Sequence, residues 1–261
     1  MNRLDQLFAR KQSDILNIYF TAGYPNLEDT VTIITELAAA GADLIEVGMP
    51  YSDPMADGVT IQRSSMQALK NGMTLDKLFA QIHEARQKTD VPLVLMGYFN
   101  QLMQYGEERF LRACKEAGVD GLILPDLPVF EYEQFYRHTV EEIDLRMSFL
   151  ITPQTTPDRI EAIASASQGF IYVVSSSSIT GKTGGISPAQ IAYFERIQNL
   201  DLPHPRLIGF GISDAESFRT ACRYANGAII GSAFIRALGT VEKEIKTTCH
   251  EFVGSILGVE V

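Results

Sequence analysis

The 261-residue chain contains no tryptophan and only three cysteines, Cys114, Cys222 and Cys249, which share no metal-ligand spacing. An odd number of scattered thiols reads as reduced thiols on buried helix faces. The four histidines, His83, His138, His204 and His250, are equally dispersed, so no metal site is expected. No apolar run approaches the ~18 residues of a membrane span. The segment Met1 to Lys11 mixes both charge signs around Leu4, Leu7 and Phe8. It reads as a short amphipathic helix and lacks the apolar core of a secretory signal. Basic residues are also in short supply, 22 Lys+Arg against 32 Asp+Glu, giving a formal charge of −10. That balance argues against nucleic acid as a main partner, because phosphate neutralisation requires clustered cations. It leaves room for a small phosphorylated ligand, which backbone amides alone can hold. The expectation is a cytoplasmic globular protein with neither membrane nor nucleic acid as partner.

What the chain does have is alternation. Short apolar, β-branched runs recur at Ile15–Phe20, Asp43–Val47, Pro92–Met96, Gly121–Leu124, Arg146–Ile151, Phe170–Val174, Arg206–Gly209 and Ala228–Ile230. Most lack a clean two-residue period, as expected of parallel strands covered on both faces. Helical stretches separate them. Asn26 precedes a helix over Leu27–Ala40 that Gly41 closes, with Val31, Ile34, Leu37 and Ala38 on one face. Thr156-Pro157 and Ser187-Pro188 place an N-cap before a first-turn proline. Ser187–Gln190 and Ser213–Glu216 fit the capping box, and Gly72 and Gly118 fit helix ends. No linker or composition shift divides the chain.

Eight strand–helix repeats over this length match an α/β fold, a single (β/α)8 TIM barrel spanning residues 1–261. A short N-terminal helix and extra short helices complete it. An open doubly wound sheet has the same alternation but favours G-x-G-x-x-G after its first strand, where this chain has Tyr19-Phe-Thr-Ala-Gly-Tyr-Pro25. The barrel is the better fit.

Reactive groups in such barrels lie at the carboxyl ends of strands and in the loops that follow. Glu46 sits inside the otherwise apolar second strand, where an unpaired carboxylate costs several kcal/mol or shifts its pKa upward. The long loop Met49-Pro-Tyr-Ser-Asp-Pro-Met-Ala-Asp57-Gly follows it, and long loops of this kind are uncommon unless functional. Alone, Asp57-Gly58 is an ordinary turn. Beside Glu46 it becomes a second carboxylate, and two acids in different environments can divide proton transfer from charge stabilisation. Asp53 reads as a loop-shaping or interface residue.

The last three strands end in small, glycine-rich loops: Ser175–Gly185, Gly209-Phe-Gly211-Ile-Ser213, and Gly231-Ser232 opening a short helix over Ala233–Leu238. Barrels often bind phosphate there. Thr180-Gly-Lys-Thr183 lacks the P-loop frame and makes better sense as a lid. Tyr19, Met96, Tyr98, Ile123, Ile151, Tyr172 and Phe210 lie near strand ends and suit a flat, largely apolar pocket.

The segment Leu44-Ile-Glu-Val-Gly-Met-Pro-Tyr-Ser-Asp-Pro-Met-Ala-Asp-Gly-Val-Thr-Ile-Gln62 resembles the signature of the tryptophan synthase α-chain family. Tyr19-Phe-Thr-Ala-Gly, Pro125-Asp-Leu-Pro128, Ile179-Thr-Gly181, Gly209-Phe-Gly-Ile-Ser213 and Gly231-Ser-Ala follow in the family's order. The resemblance implies a carbon–carbon lyase of tryptophan biosynthesis, cleaving indole-3-glycerol phosphate to indole and glyceraldehyde 3-phosphate. It makes Glu46 the acid/base and Asp57 the carboxylate facing the indole N–H. Gly181, Gly211, Gly231 and Ser232 become the phosphate contacts, Tyr172 and Phe210 residues around ring and tail, and Thr180 the lid threonine. No cofactor is implied for this chain. The implied partner is a pyridoxal-phosphate β chain in an α2β2 heterotetramer, with Pro50, Tyr51 and Asp53 as contacts. Two features depart from the family pattern: Ser178-Ile179 replaces glycine-valine before the lid, and Tyr51 a frequent phenylalanine.

Other readings keep the same residues. Another phosphate-binding barrel would be expected to carry a strand lysine, and these strands contain none. An allosteric α-like partner would be expected to lose a carboxylate, and both are present. A free-standing indole-producing lyase differs only in loop dynamics and partner affinity.

Overall fold

The computed structural model describes residues 1–55, 57–175, 186–200, 202–240 and 243–259. Among these residues nine parallel strands form one sheet: β1 Ile15–Thr21, β2 Leu44–Gly48, β3 Leu93–Met96, β4 Gly121–Ile123, β5 Arg146–Met147, β6 Leu150–Ile151, β7 Ile171–Val174, β8 Arg206–Gly209 and β9 Gly227–Ile230. Their lateral order is β5-β4-β3-β2-β1-β9-β8-β7-β6. The sheet therefore begins and ends with the two halves of the expected fifth strand, separated only by Ser148 and Phe149. Across that seam the Ser148 amide donates to Leu122 O at 3.0 Å and the Tyr172 amide to Phe149 O at 2.9 Å. The sheet closes on itself as a barrel with helices outside.

Closure sorts the side chains into two cores. Leu16, Ile18, Phe20, Ile45 and Val47 join the layer between sheet and helices, whereas Ile15, Tyr19, Leu44, Val94, Phe170 and Leu207 fill the barrel. Because successive strand residues face opposite ways, Glu46 shares the inward face of β2 with Leu44. Both faces are apolar, which is why the strands read as continuous hydrophobic runs.

The N-terminal helix Arg3–Arg10 stops the barrel floor. Leu4, Leu7 and Phe8 are buried and belong to the interior core. Asn2 caps this helix, accepting from the Leu4 amide at 2.8 Å, and its Nδ2 donates to the carbonyls of Asp120 and Asp144 at 2.9 and 2.6 Å. Beneath it the buried Arg86 donates to Asp120 at 2.9 Å, and Asp120 also receives Arg3 and the Leu93 amide. A cavity of about 630 Å³ lies at this end, lined in part by Arg3, Asp90 and Asp120. Arg3 already pairs with both carboxylates, and the cavity faces the amino ends of the strands. In barrels that end serves stability.

Two helix starts differ from the sequence expectation. The helix Asp29–Ala40 begins after Glu28, while Asn26 donates from its amide and Nδ2 to Asp29 Oδ2 in the preceding turn. The helix Ala215–Cys222 is capped by Asp214, which accepts from the Ser217 amide at 2.8 Å; a carboxylate suits the positive helix start better than Ser213. The capping box of Ser187 and Gln190 is present, and Gly41 and Gly118 close their helices. Among the described residues no helix is long and apolar enough to cross a membrane.

Leu4→Ala should lower unfolding free energy by about 2–5 kcal/mol, the cost of a large-to-small change at a fully buried site. Urea titration measures it. Because the change lies at the floor, the turnover number of the folded variant should stay close to that of the parent.

Candidate active site

Glu46 is fully buried on the inward face of β2, where it pairs in register with Tyr19 of β1 and Val94 of β3. Its Oε2 accepts from Asn17 Nδ2 at 3.1 Å, and its Oε1 has no hydrogen-bond partner among the described residues. Burial pushes the carboxyl up to about 8; the Asn17 bond opposes the shift and the negative charge of Asp57 adds to it. A group of this kind is mostly a neutral acid at pH 7.

Asp57 reaches the same mouth from the loop after β2. Its amide donates to Pro54 O at 3.1 Å, and Gln62 Nε2 donates to its carbonyl at 2.9 Å. The carboxylate does not cap the following helix Val59–Lys70, which starts at Gly58 without a side-chain cap. It accepts instead from the Tyr98 hydroxyl, at 3.1 Å on Oδ2. Burial raises its pKa to about 6, and the Tyr98 bond restrains the rise. The turn reading of Asp57-Gly58 is thus incomplete, since the side chain faces inward.

Tyr19 and Tyr172 flank the acids from β1 and β7. Each ring lies across the glycine that ends the next strand: a Cβ on Gly48 would collide with the Tyr19 hydroxyl, and one on Gly209 with the Tyr172 hydroxyl. Only glycine permits that close approach. Burial holds both phenols well above their ordinary value, so both stay neutral.

Tyr19, Met96, Tyr98 and Phe210 line one cavity with Asp57, Met49, Gly97, Pro125 and Leu150. Tyr172 packs edge-on against Phe210, with ring centroids 6.0 Å apart. Ile123 lies in the barrel interior beside Met96. Ile151 requires correction as a pocket residue. It sits in the outer layer, one residue out of phase, and Leu150 takes the inward position. The two-residue period makes such a slip a change of face.

Phe210 and Gly211 both have positive φ, at 66° and 81°. For phenylalanine that conformation is strained, and such residues cluster at ligand sites. Ser175 Oγ donates to the Phe210 carbonyl and braces the turn. Gly231 lies against the Tyr19 ring, and Ser232 opens the helix Ser232–Leu238, one residue before the expected start. The first amides of a helix have no partner within it. Thr180 and Gly181, expected as lid and phosphate contact, lie outside the described residues.

Of the expected interface residues, Pro50 is buried and accepts from Gln101 Nε2 at 2.9 Å, whereas Asp53 is exposed. Tyr51 stacks on Tyr98 at 5.0 Å between ring centroids, and its hydroxyl accepts from Asn100 Nδ2 at 2.9 Å. The β2 loop is therefore clamped to the start of the helix Phe99–Tyr105. Sequence reading passed over Asn17, Asn100 and Gln101. The one signal for Asn17 was a carboxamide inside an apolar strand.

The sequence profile described as "Tryptophan synthase alpha chain" matches residues 5–256. The tryptophan synthase alpha chain of Flavobacterium johnsoniae is 53% identical over 98% of this chain and 100% of its own length. That of Christiangramia forsetii is 54% identical over 90% and 92%. Among solved structures, the tryptophan synthase A-subunit of Pyrococcus furiosus superposes with a TM-score of 0.88 at 34% identity, covering 95% of this chain and 100% of that one. Tryptophan synthase from M. tuberculosis, in an aminoacrylate-bound form, gives 0.85 at 31% identity over the whole of both chains. A profile match of that extent, with relatives above half identity along nearly their full length, identifies the lineage: the chain belongs to the tryptophan synthase alpha chain family.

Proposed function

We propose that this lyase subunit cleaves indole-3-glycerol phosphate to indole and glyceraldehyde 3-phosphate, with Glu46 exchanging protons and Asp57 facing the ring nitrogen. The observation that carries the reading is a pair of buried carboxyls at one barrel mouth with separated proton affinities, about 8 and about 6. Near pH 7 the first is an acid and the second an anion, the division the reaction requires. Glu46 gives a proton to indole C3, which leaves positive charge on the ring nitrogen opposite Asp57. The carbon–carbon bond then breaks, and its electron pair returns to the ring and quenches that charge. The glycerol hydroxyl, becoming an aldehyde, yields its proton to the Glu46 carboxylate. Glu46 ends as it began.

The tail phosphate is assigned to the amides of Gly211, Gly231 and Ser232, joined by Gly181, with Thr180 on the lid. Dipole and unpaired amides at the start of a helix favour an anion there. These steps use only side chains of this chain, and pyridoxal phosphate belongs to the β partner of an α2β2 assembly. Pro50, Tyr51 and Asp53 are assigned to the interface with it; the adjoining Met55 is 87% exposed, which suits a surface that a partner covers.

Indole release from indole-3-glycerol phosphate, by the chain alone and with a β chain, tests the assignment. Glu46→Gln and Asp57→Asn should each lose ~10²–10⁴-fold, the usual worth of a positioned acid or base. Wild-type rates in either would sink its role.

The kcat/KM profile should be bell-shaped, rising near pH 6 as Asp57 ionises and falling near pH 8 as Glu46 loses its proton. Tyr98→Phe removes a bond that stabilises the Asp57 anion, so its acidic limb should move to higher pH.

The same burial predicts a stability slope. Folded Glu46 keeps its proton up to about 8, whereas the unfolded side chain loses it near its ordinary value of 4.5. Between those values the folded state binds more protons, so stability falls as pH rises. Glu46→Gln should therefore be more stable than the parent at pH 9, by an order of a few kcal/mol, and should lose that advantage below pH 4. Chemical denaturation at the two pH values measures the difference.

A further inference from the structure

Asn17 is a carboxamide in the middle of Ile15-Leu-Asn-Ile-Tyr19, and it is fully buried on the inward face of β1. Its Nδ2 donates to Glu46 Oε2 at 3.1 Å, while Asn17 Oδ1 and Glu46 Oε1 have no hydrogen-bond partner among the described residues. A buried carboxamide with one end unsatisfied costs stability that an aliphatic residue of the same size would not. Packing alone does not account for it.

The groups facing Glu46 explain what the amide contributes. Asp57 approaches from the loop after β2, Tyr19 from β1 and Tyr172 from β7. All three are acids. No cation of the described residues faces the carboxyl, and Asn17 is the one hydrogen-bond partner that favours the anion. The contact also takes only one oxygen.

A group that gives a proton and then takes one must be held in both states. A carboxamide has a donor and an acceptor at nearly the same distance from its Cβ. With Glu46 ionised, the Asn17 N–H donates to Oε2. With Glu46 neutral and its proton on Oε2, a half-turn of the amide presents Oδ1 to that O–H. A proton exchanged at Oε1 leaves the N–H contact in place. We propose that Asn17 is a positioning residue for Glu46: it grips Oε2 in either proton state and reserves Oε1 for exchange with the substrate. The inference rests on the role given to Glu46 above.

The test uses carboxyl-¹³C-labelled protein, with Glu46→Gln assigning the Glu46 resonance, and Asn17→Leu as the variant of similar volume. Losing a hydrogen bond to a charged group should move the Glu46 midpoint up by about one unit, and the alkaline limb of kcat/KM with it. The turnover number should fall about tenfold with KM little changed, the mark of a loss confined to the reacting geometry. A folded Asn17→Leu protein with an unmoved midpoint and an undiminished turnover number would overturn the proposal. If that variant does not fold, the wild-type protein still decides. The Asn17 side-chain ¹⁵N resonance should titrate with the Glu46 midpoint and stop doing so in Glu46→Gln; a resonance indifferent to Glu46 overturns the proposal. Failure of the catalytic reading has a different signature. Glu46→Gln would then release indole at the wild-type rate while Asn17 and Glu46 still titrate together in the parent, overturning the exchange role assigned to Oε1.

Discussion

A carboxyl group held inside an apolar barrel, faced by no cation among the described residues, is the constraint from which the site follows. Transfer of such a group from water disfavours its charge by several kcal/mol. Two responses are open, neutralisation or compensation by neighbours, and Glu46 shows the first tempered by a single amide. Asp57, nearer the rim and bonded to a phenol, retains far more of its acidity. Depth in the barrel thus sets which acid keeps its proton.

The tyrosines show how the barrel makes room for that arrangement. Tyr19 and Tyr172 occupy related places, each leaning over the terminal glycine of the following strand, Gly48 or Gly209. Two large rings therefore enter the barrel mouth without forcing the strands apart. Their hydroxyls stay neutral, so they add polarity without adding charge. Beyond them, the strained Phe210 supplies a third ring, fixed by the turn that also carries Gly211. Strain, close approach and buried charge coincide at one end of the molecule, and the other end is ion-paired and plugged.

The strand positions and the barrel were legible because alternation and length are properties of the chain itself. So was Glu46, since a carboxylate in an apolar run is visible in one dimension. The break of the fifth strand at Ser148-Phe149 was not, because closure of the sheet decides it. Ile151 was misplaced for a related reason: a strand buried on both faces gives no polarity signal to tell inward from outward, and Leu150 looks the same on paper. Asp214 displaced Ser213 as a cap because both residues satisfy the local rule and geometry chose between them. Asn17, Asn100 and Gln101 act through partners 29, 49 and 51 residues away in sequence, a pairing that only folding creates.

The floor formed by Leu4, Leu7 and Phe8 has a consequence for traffic. Among the described residues the base of the barrel is stoppered, so passage through the floor is closed and the mouth serves both entry and departure. On the reaction proposed above, substrate, aromatic fragment and aldehyde would share one doorway. The two fragments differ sharply in polarity: one is a flat hydrocarbon-rich ring, the other carries a doubly charged group. Whatever sits over the doorway can sort them on that difference alone.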